Sequence, residues 1–184
     1  LLPRREEFAH REVVVAVTLV RGTWTAGGDG VERDLPRELR PLLAVGPAVR
    51  EHALEVELPF LQVALERFEL VPLVVGESGP EEVAEVLEQI WGGEETLIVV
   101  STDLSHYRDY ATAAALDRAT ADAIVALDVD GIAAGDACGR NPLRGLLLAA
   151  RRRGLVVAEL DLRSSGDTAG GRSQVVGYGA FAFA

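Results

Sequence analysis

The segment Leu97–Ile124, "LIVVSTDLSHYRDYATAAALDRATADAI", decides the fold. It opens on continuous apolar β-formers, which predict a buried strand over "TLIVVS", and an alanine-rich run from Ala111 to Leu127 predicts a helix. A strand that passes through a short polar turn into a helix is the building unit of an α/β sheet. Ser101, Asp103, Ser105 and His106 stand between the two. In open α/β sheets ligands bind beyond the carboxyl ends of strands, which is where these side chains fall. Asp103 is therefore a candidate to orient His106 or accept a proton, and His106 a candidate general acid, general base or metal ligand. By spacing alone the plainer alternative carries more weight: Asp103 or Ser101 caps the next helix and His106 lies on its exposed first turn.

Strands and helices alternate on both sides of this segment. Glu12–Val20 is β-branched and continuous, as for a buried strand, and "GTWTAGGDG" after it is a turn. Apolar residues recur at helical spacing over Pro36–Val45. Leu54, Leu58, Leu61 and Leu65 form one apolar helix stripe, with regular helix expected from near Pro59. "ELVPLVV" predicts a short strand and "SGPEEVAEVLEQIW" a helix capped by Ser78, with Glu81 following three residues on. After "GDACGRNP" comes the helix "LRGLLLAARRR", stopped by Gly154. "LVVAELDLR", the polar loop "SSGDTAGGRS" and "QVVGYGAFAFA" predict strand, turn and antiparallel strand. The expected architecture is α/β: a single three-layer domain over residues 1–184, with a mixed central sheet flanked by helices.

Composition narrows the function classes. A chain of 184 residues with 48% hydrophobic content suffices for one core. A net charge of −11 and a pI near 4.7 exclude nucleic acid as a main partner, because phosphate-backbone binding needs clustered positive charge. No apolar run reaches the roughly 20 residues that span a bilayer, and "LLPRREEFAHRE" lacks the order of a signal peptide, so we expect no membrane partner and a cytoplasmic protein. The basic residues are all arginine, methionine is absent and Asn141 is the sole asparagine, a bias that suits a heat-stable protein or a GC-rich genome.

Two further groups could carry chemistry. His52 and Glu55 are three apart, so on a helix they share a face and could bind a metal or hold a proton together. The plain alternative is the solvated side of an amphipathic segment, with Glu57 close behind. Cys138, the only cysteine, stands just ahead of a helix and beside Arg140, a setting that suits a metal ligand or a nucleophile, although a lone cysteine is more often an inert core residue. "SSGDTAGGR" has the glycines of a phosphate loop but neither its lysine nor a following helix, and is read as a turn.

Together, "REHALEVELPFLQ", "LIVVSTDLSHY", "ACGRNPLRGLLLAA" and "SGDTAGGRSQVVGYGAFAF", in that order, resemble the Memo-like family, the B protein of the AmmeMemoRadiSam system. That family is similar in fold to class III extradiol dioxygenases, with a cleft at one sheet edge. The resemblance implies that Asp103 and His106 line the cleft, with His52 and Cys138 converging on it. It also implies a metal site, iron or copper, formed in the family by the cysteine matching Cys138 and two histidines from Pro-His-Ala-Gly and Gly-Pro-Ser-His motifs. This chain contains neither motif, and "TLVRGTWTAGGDGVERDL" resembles the family's region after the second. We therefore expect a Memo-like domain shortened at its N-terminus, with Cys138 as the remaining metal candidate and a metal centre short of ligands.

The function expected is ligand or partner binding through this residual cleft, with Ser101, His52 and Glu55 as ligand-binding candidates and Asp103 and His106 as catalytic ones. The alternative implied by the resemblance is a metal-dependent oxidoreductase using iron or copper. A third reading, hydrolysis with Cys138 as nucleophile and His106 as base, has no family motif behind it. The family name implies AMMECR1-like or radical-SAM proteins as partners, besides a small-molecule ligand.

Overall fold

The computed structural model describes residues 12–17, 56–57, 59–61, 63, 70–92, 96–168 and 170–184. Strand β1 (Glu12–Val17) pairs in parallel with β2 (Leu70–Val74) and with β3 (Thr96–Ser101), giving a three-stranded sheet in the order β2-β1-β3. Pro72 lies in β2, at the sheet's edge, where a residue without an N–H is tolerated. A second three-stranded sheet, in the order β4-β6-β5, is antiparallel. It consists of β4 (His106–Arg108), β5 (Val157–Ser164) and β6 (Val175–Phe183). The protein is thus α/β, as the alternation of periods predicts, but among the described residues the parallel and the antiparallel strands form two separate three-stranded sheets and not the one mixed central sheet expected. The β5–β6 hairpin is antiparallel as expected, and the polar stretch between its strands contains the four-residue helix Ser165–Thr168.

Helix α1 (Pro80–Ile90) begins one residue later than the Ser78 cap implies. Gly79 is the cap residue and its N–H donates to Glu82 Oε2 at 2.9 Å. Pro80 fixes this start, because its φ suits the first helical position and its missing N–H is not needed there. Helix α2 (Tyr110–Val125) is capped by Asp109, whose side chain accepts from the Thr112 N–H at 3.1 Å. The expectation that Asp103 or Ser101 caps this helix is thereby overturned: residues 106–108 form β4 first, with His106 and Arg108 paired to β6 across an irregularity between them. Helix α3 (Arg140–Arg153) starts ahead of Leu143 and ends at Gly154, whose φ of 69° is the left-handed conformation that glycine adopts without strain.

The core lies between α1 and α3. Val83, Ala84 and Leu87 of α1 meet Leu143, Leu146 and Leu147 of α3, and Ile124, Val129 and Ile132 close the cluster. Of the expected stripe, Leu61 is helical and buried, while Leu54, Leu58 and Leu65 lie outside the described residues. The chain is already helical at Val56 and Glu57, ahead of Pro59. The predicted helix Pro36–Val45 and the last residues of the Glu12–Val20 strand also lie outside the described residues. Among the described residues no helix is long and apolar enough to cross a membrane.

Candidate functional site

The strands of the parallel sheet all point the same way, and the polar segment after β3 lies at their carboxyl ends. There Asp103, His106 and Cys138 come together, each offering a ligand atom within 4.8 Å of the others. His106 Nε2 stands 3.4 Å from Asp103 Oδ2, and both side chains are half-exposed. Cys138 is exposed rather than sequestered in the core.

Backbone ties create this convergence. Cys138 N–H donates to Asp103 O at 3.1 Å, and Asp103 N–H donates to Cys138 Sγ at 3.2 Å, so the two residues grip each other. Thr102 reinforces the grip: its Oγ1 accepts from the Gly139 N–H at 2.7 Å and lies 3.5 Å from Cys138 Sγ. The loop bearing Cys138 is fixed from the helix side, because Arg140 Nε donates to Ile132 O at 2.8 Å and Arg144 Nε to Val129 O at 2.6 Å. Arg140 is thus engaged in holding the loop.

The turn that presents His106 is fastened from below. Leu104 N–H donates to Gly177 O at 2.9 Å, and Gly177 N–H donates to Ser105 O at 2.8 Å. Ser105 N–H donates to Asp117 Oδ1 at 2.9 Å, and Asp117 is only 3% exposed. Gly177 is required here by close approach: a Cβ at that position would lie 2.0 Å from Asp117 Oδ2. The Ser105 hydroxyl is buried without a hydrogen-bond partner among the described residues. Tyr107 follows with φ 56°, unusual for a residue with a Cβ, and its exposed ring stands 5.8 Å from the His106 ring.

Ser101 Oγ donates to Glu57 Oε1 at 3.2 Å, which brings one acid of the "EHALEVE" segment to the end of β3. His52 and Glu55, the ligand candidates of that segment, lie outside the described residues. Thr102 and Asp117 escape sequence reasoning. A signal for Asp117 exists, since it falls on the same helical stripe as the buried Ala113, Thr120, Ala121 and Ile124. An acid on an apolar stripe needs a buried partner.

The glycine-rich "SSGDTAGGR" stretch is organised around Asp167. Asp167 Oδ1 accepts from the Tyr110 hydroxyl at 2.6 Å, and Oδ2 accepts from Ser164 N–H and Oγ at 2.8 and 3.0 Å. The Tyr110 hydroxyl, then the Ser164 N–H, hold the Asp167 carboxyl below the usual carboxylate range, and Asp167 in turn pushes the Tyr110 phenol up. Arg172 stacks on the Tyr110 ring at 4.3 Å. With Ser164 and Tyr110 both donating to Asp167, this stretch is the structural turn that its sequence predicts.

Fold and site define an α/β protein with a mixed oxygen, nitrogen and sulfur donor cluster at the carboxyl ends of parallel strands. The chain belongs to the Memo-like protein family, whose model matches residues 45–182. It is 33% identical over 145 residues to a MEMO1 family protein of Nitrosopumilus maritimus, covering 73% of this chain and 53% of that protein. It is 31% identical over 204 residues to a MEMO1 family protein of Archaeoglobus fulgidus, covering 100% of this chain and 78% of that protein. A third relative, MEMO1 family protein MK0963 of Methanopyrus kandleri, is 35% identical over 146 residues, covering 72% and 52%. The chain spans about half the length of most of the curated relatives it matches.

Proposed function

We propose that the chain acts by binding, through the cleft of Asp103, His106 and Cys138, a small ligand or a weakly held metal ion. The observation that carries this reading is the approach of three chemically different donors to within 4.8 Å on loops that are themselves pinned. Imidazole and thiolate suit iron or copper, and a carboxylate adds a hard oxygen, so the donor set fits such an ion. Asp103 and His106 would hold it from one loop and Cys138 from the other. Three ligands from one side leave positions open, the arrangement that supports a second reading, a metal-dependent oxidoreductase like the class III extradiol dioxygenases. A redox ion there would supply oxygen chemistry. The protein's share would be to orient a ligand and to move a proton at His106 Nε2, which Asp103 faces. Partners of the AMMECR1-like or radical-SAM classes belong to the same proposal and rest on the family resemblance.

Calorimetric titration of the chain with iron(II) and copper(II), beside Cys138→Ser and His106→Ala, tests the reading. Binding in the micromolar to millimolar range, weakened by either substitution, is expected. Binding unchanged by both would remove the cleft as the site. Tight one-to-one binding abolished by Cys138→Ser would favour the oxidoreductase reading instead.

A further inference from the structure

Tyr107 occupies a backbone position poorly suited to it. Its φ of 56° is left-handed, a conformation that glycine adopts freely and a residue with a Cβ adopts at a cost. The position is a β-bulge: His106 and Arg108 pair with the adjacent residues Val176 and Val175, so Tyr107 is the extra residue between them. Burial does not offset the cost, since Tyr107 is 71% exposed. Bulges next to a site serve to re-aim a side chain. The ring aimed here stands 5.8 Å from the His106 ring, tilted by 58°.

Three groups thus stand in a row: the Asp103 carboxylate, the His106 imidazole 3.4 Å from it, and the Tyr107 ring. All three reach solvent. A carboxylate beside exposed ring faces suits a planar cation, which stacks through its face and donates hydrogen bonds from its edge. The net charge of −11 favours the approach of such a group.

The same chemistry occurs elsewhere in the molecule with its cation in place. Tyr110 donates to Asp167, and the Arg172 guanidinium lies over the Tyr110 ring at 4.3 Å with its Nη2 4.0 Å from Asp167 Oδ1. Trp91 is covered in the same way by Arg153 at 4.4 Å. Among the described residues no arginine lies over Tyr107 or pairs with Asp103.

We propose that Asp103, His106 and Tyr107 form a recognition site for a guanidinium group, carried by a small ligand or by an arginine side chain of a polypeptide. Tyr107 and His106 supply ring faces and Asp103 supplies the acceptor. The inference rests on the ligand-binding reading of the same site and adds Tyr107 to it as the residue that sets specificity.

Titration of the chain with ethylguanidinium chloride in metal-free buffer at constant ionic strength, followed by the NMR signals of the His106 and Tyr107 rings, is the test. Saturable shifts of both are expected, with none from neutral ethylurea and weaker binding of ethylammonium, which cannot stack as a plane. Tyr107→Leu should weaken binding about two- to fivefold, the loss of one exposed cation–π contact, and Tyr107→Phe should keep it. Tyr107→Gly should weaken binding without lowering the thermal midpoint, because glycine relieves the left-handed φ. A lowered midpoint would make the ring structural and overturn the proposal. So would equal shifts with ethylurea or ethylammonium, or wild-type binding by Tyr107→Leu. The end-capped tripeptide Gly-Arg-Gly separates the two sources. Tighter binding than that of ethylguanidinium assigns the site to an arginine of a polypeptide, equal or weaker binding to a small ligand, and either upholds the guanidinium. Iron(II) calorimetry in parallel keeps the two readings apart: metal binding without a guanidinium response sinks this inference alone, and a guanidinium response without metal binding leaves it standing.

Discussion

The contact of Gly177 with Asp117 allows a double-substitution test of how the His106 turn is held. In Gly177→Ala the new methyl carbon would lie 2.0 Å from Asp117 Oδ2 and 2.4 Å from its Cγ, far inside van der Waals contact. The carboxyl group cannot swing freely, because it is buried and its other oxygen holds the Ser105 N–H. Overpacking of this kind costs about 1 to 3 kcal/mol. Asp117→Ala removes the clash partner but leaves the Ser105 N–H without its acceptor, a loss of about 1 to 3 kcal/mol. In the double variant the methyl added at position 177 enters space vacated by the carboxyl, so the cost should be close to that of Asp117→Ala alone. The cycle therefore predicts a favourable coupling of about 1 to 3 kcal/mol. Urea unfolding of the four proteins, with midpoints compared at constant slope, measures it. Gly145→Ala is the control, since its Cβ would meet Val83 Cγ1 at 2.2 Å, between α1 and α3 and away from the site. Gly177→Ala should also weaken the metal binding proposed for Asp103, His106 and Cys138, and Gly145→Ala at equal loss of stability should not. Costs that add to within about 0.5 kcal/mol, as they do for independent sites, would refute the reasoning.

Other expectations follow from individual residues. Leu147, with 0% exposure, should lose about 2 to 5 kcal/mol on truncation to alanine, whereas His106→Ala should change thermal stability by less than about 0.5 kcal/mol and act on ligand binding instead. Equal melting losses would make the imidazole structural. The Tyr110–Asp167 bond sets a pH window. The Asp167 pKa lies below its ordinary 3.8, so its contribution is present above that pH and lost as pH falls through the lowered value; the Tyr110 pKa lies above its ordinary 10.0, so its contribution is present below that pH and lost as pH rises through the raised value. Urea midpoints against pH should fall off at both ends in the wild type, and Tyr110→Phe should abolish the alkaline fall; persistence of that fall would assign it elsewhere. Gly154→Ala should lower stability by about 1 kcal/mol, because φ 69° strains a residue with a Cβ, and Gly154→Asn should lose less. Identical thermal melts for all three would contradict the cap assignment.

The α/β class is legible in the sequence because the periods change sharply. "TLIVVS" is short and continuous, whereas "SGPEEVAEVLEQIW" carries Val83, Val86 and Leu87 at helical spacing, all buried in the structure. Strand β4 is not legible: "HYR" is polar and too short to show any period, and it is a strand only because Val175 and Val176 pair with Arg108 and His106. The shift of the cap from Ser78 to Gly79 follows from Pro80, a constraint present in the sequence but weaker there than the Ser-x-x-Glu pattern. For the site, the strand-end position of Asp103 and His106 can be read locally. The approach of Cys138 cannot, since 35 residues separate it from Asp103 and a tertiary pair of hydrogen bonds produces it. Only the family resemblance anticipates that meeting.

The polar segment after β3 divides its bonding between backbone and side chains in a consistent way. Both backbone groups of Asp103 are taken by Cys138, the Thr102 hydroxyl takes the Gly139 N–H, and the Leu104–Ser105 backbone is tied to Gly177 and Asp117. The Asp103 carboxyl and the His106 ring, by contrast, stay half-exposed and meet chiefly each other. A segment needed only to join β3 to α2 would not require an acid buried in the helix to hold it, because burying a polar group is unfavourable unless it is paired. Fixing the backbone while leaving the donor heads toward solvent is the arrangement that pre-organises a binding site, since the ligand then need not order the loop. The burial of Asp117 and the absence of a side chain at Gly177 therefore belong to the proposed site, although neither residue reaches its surface donors.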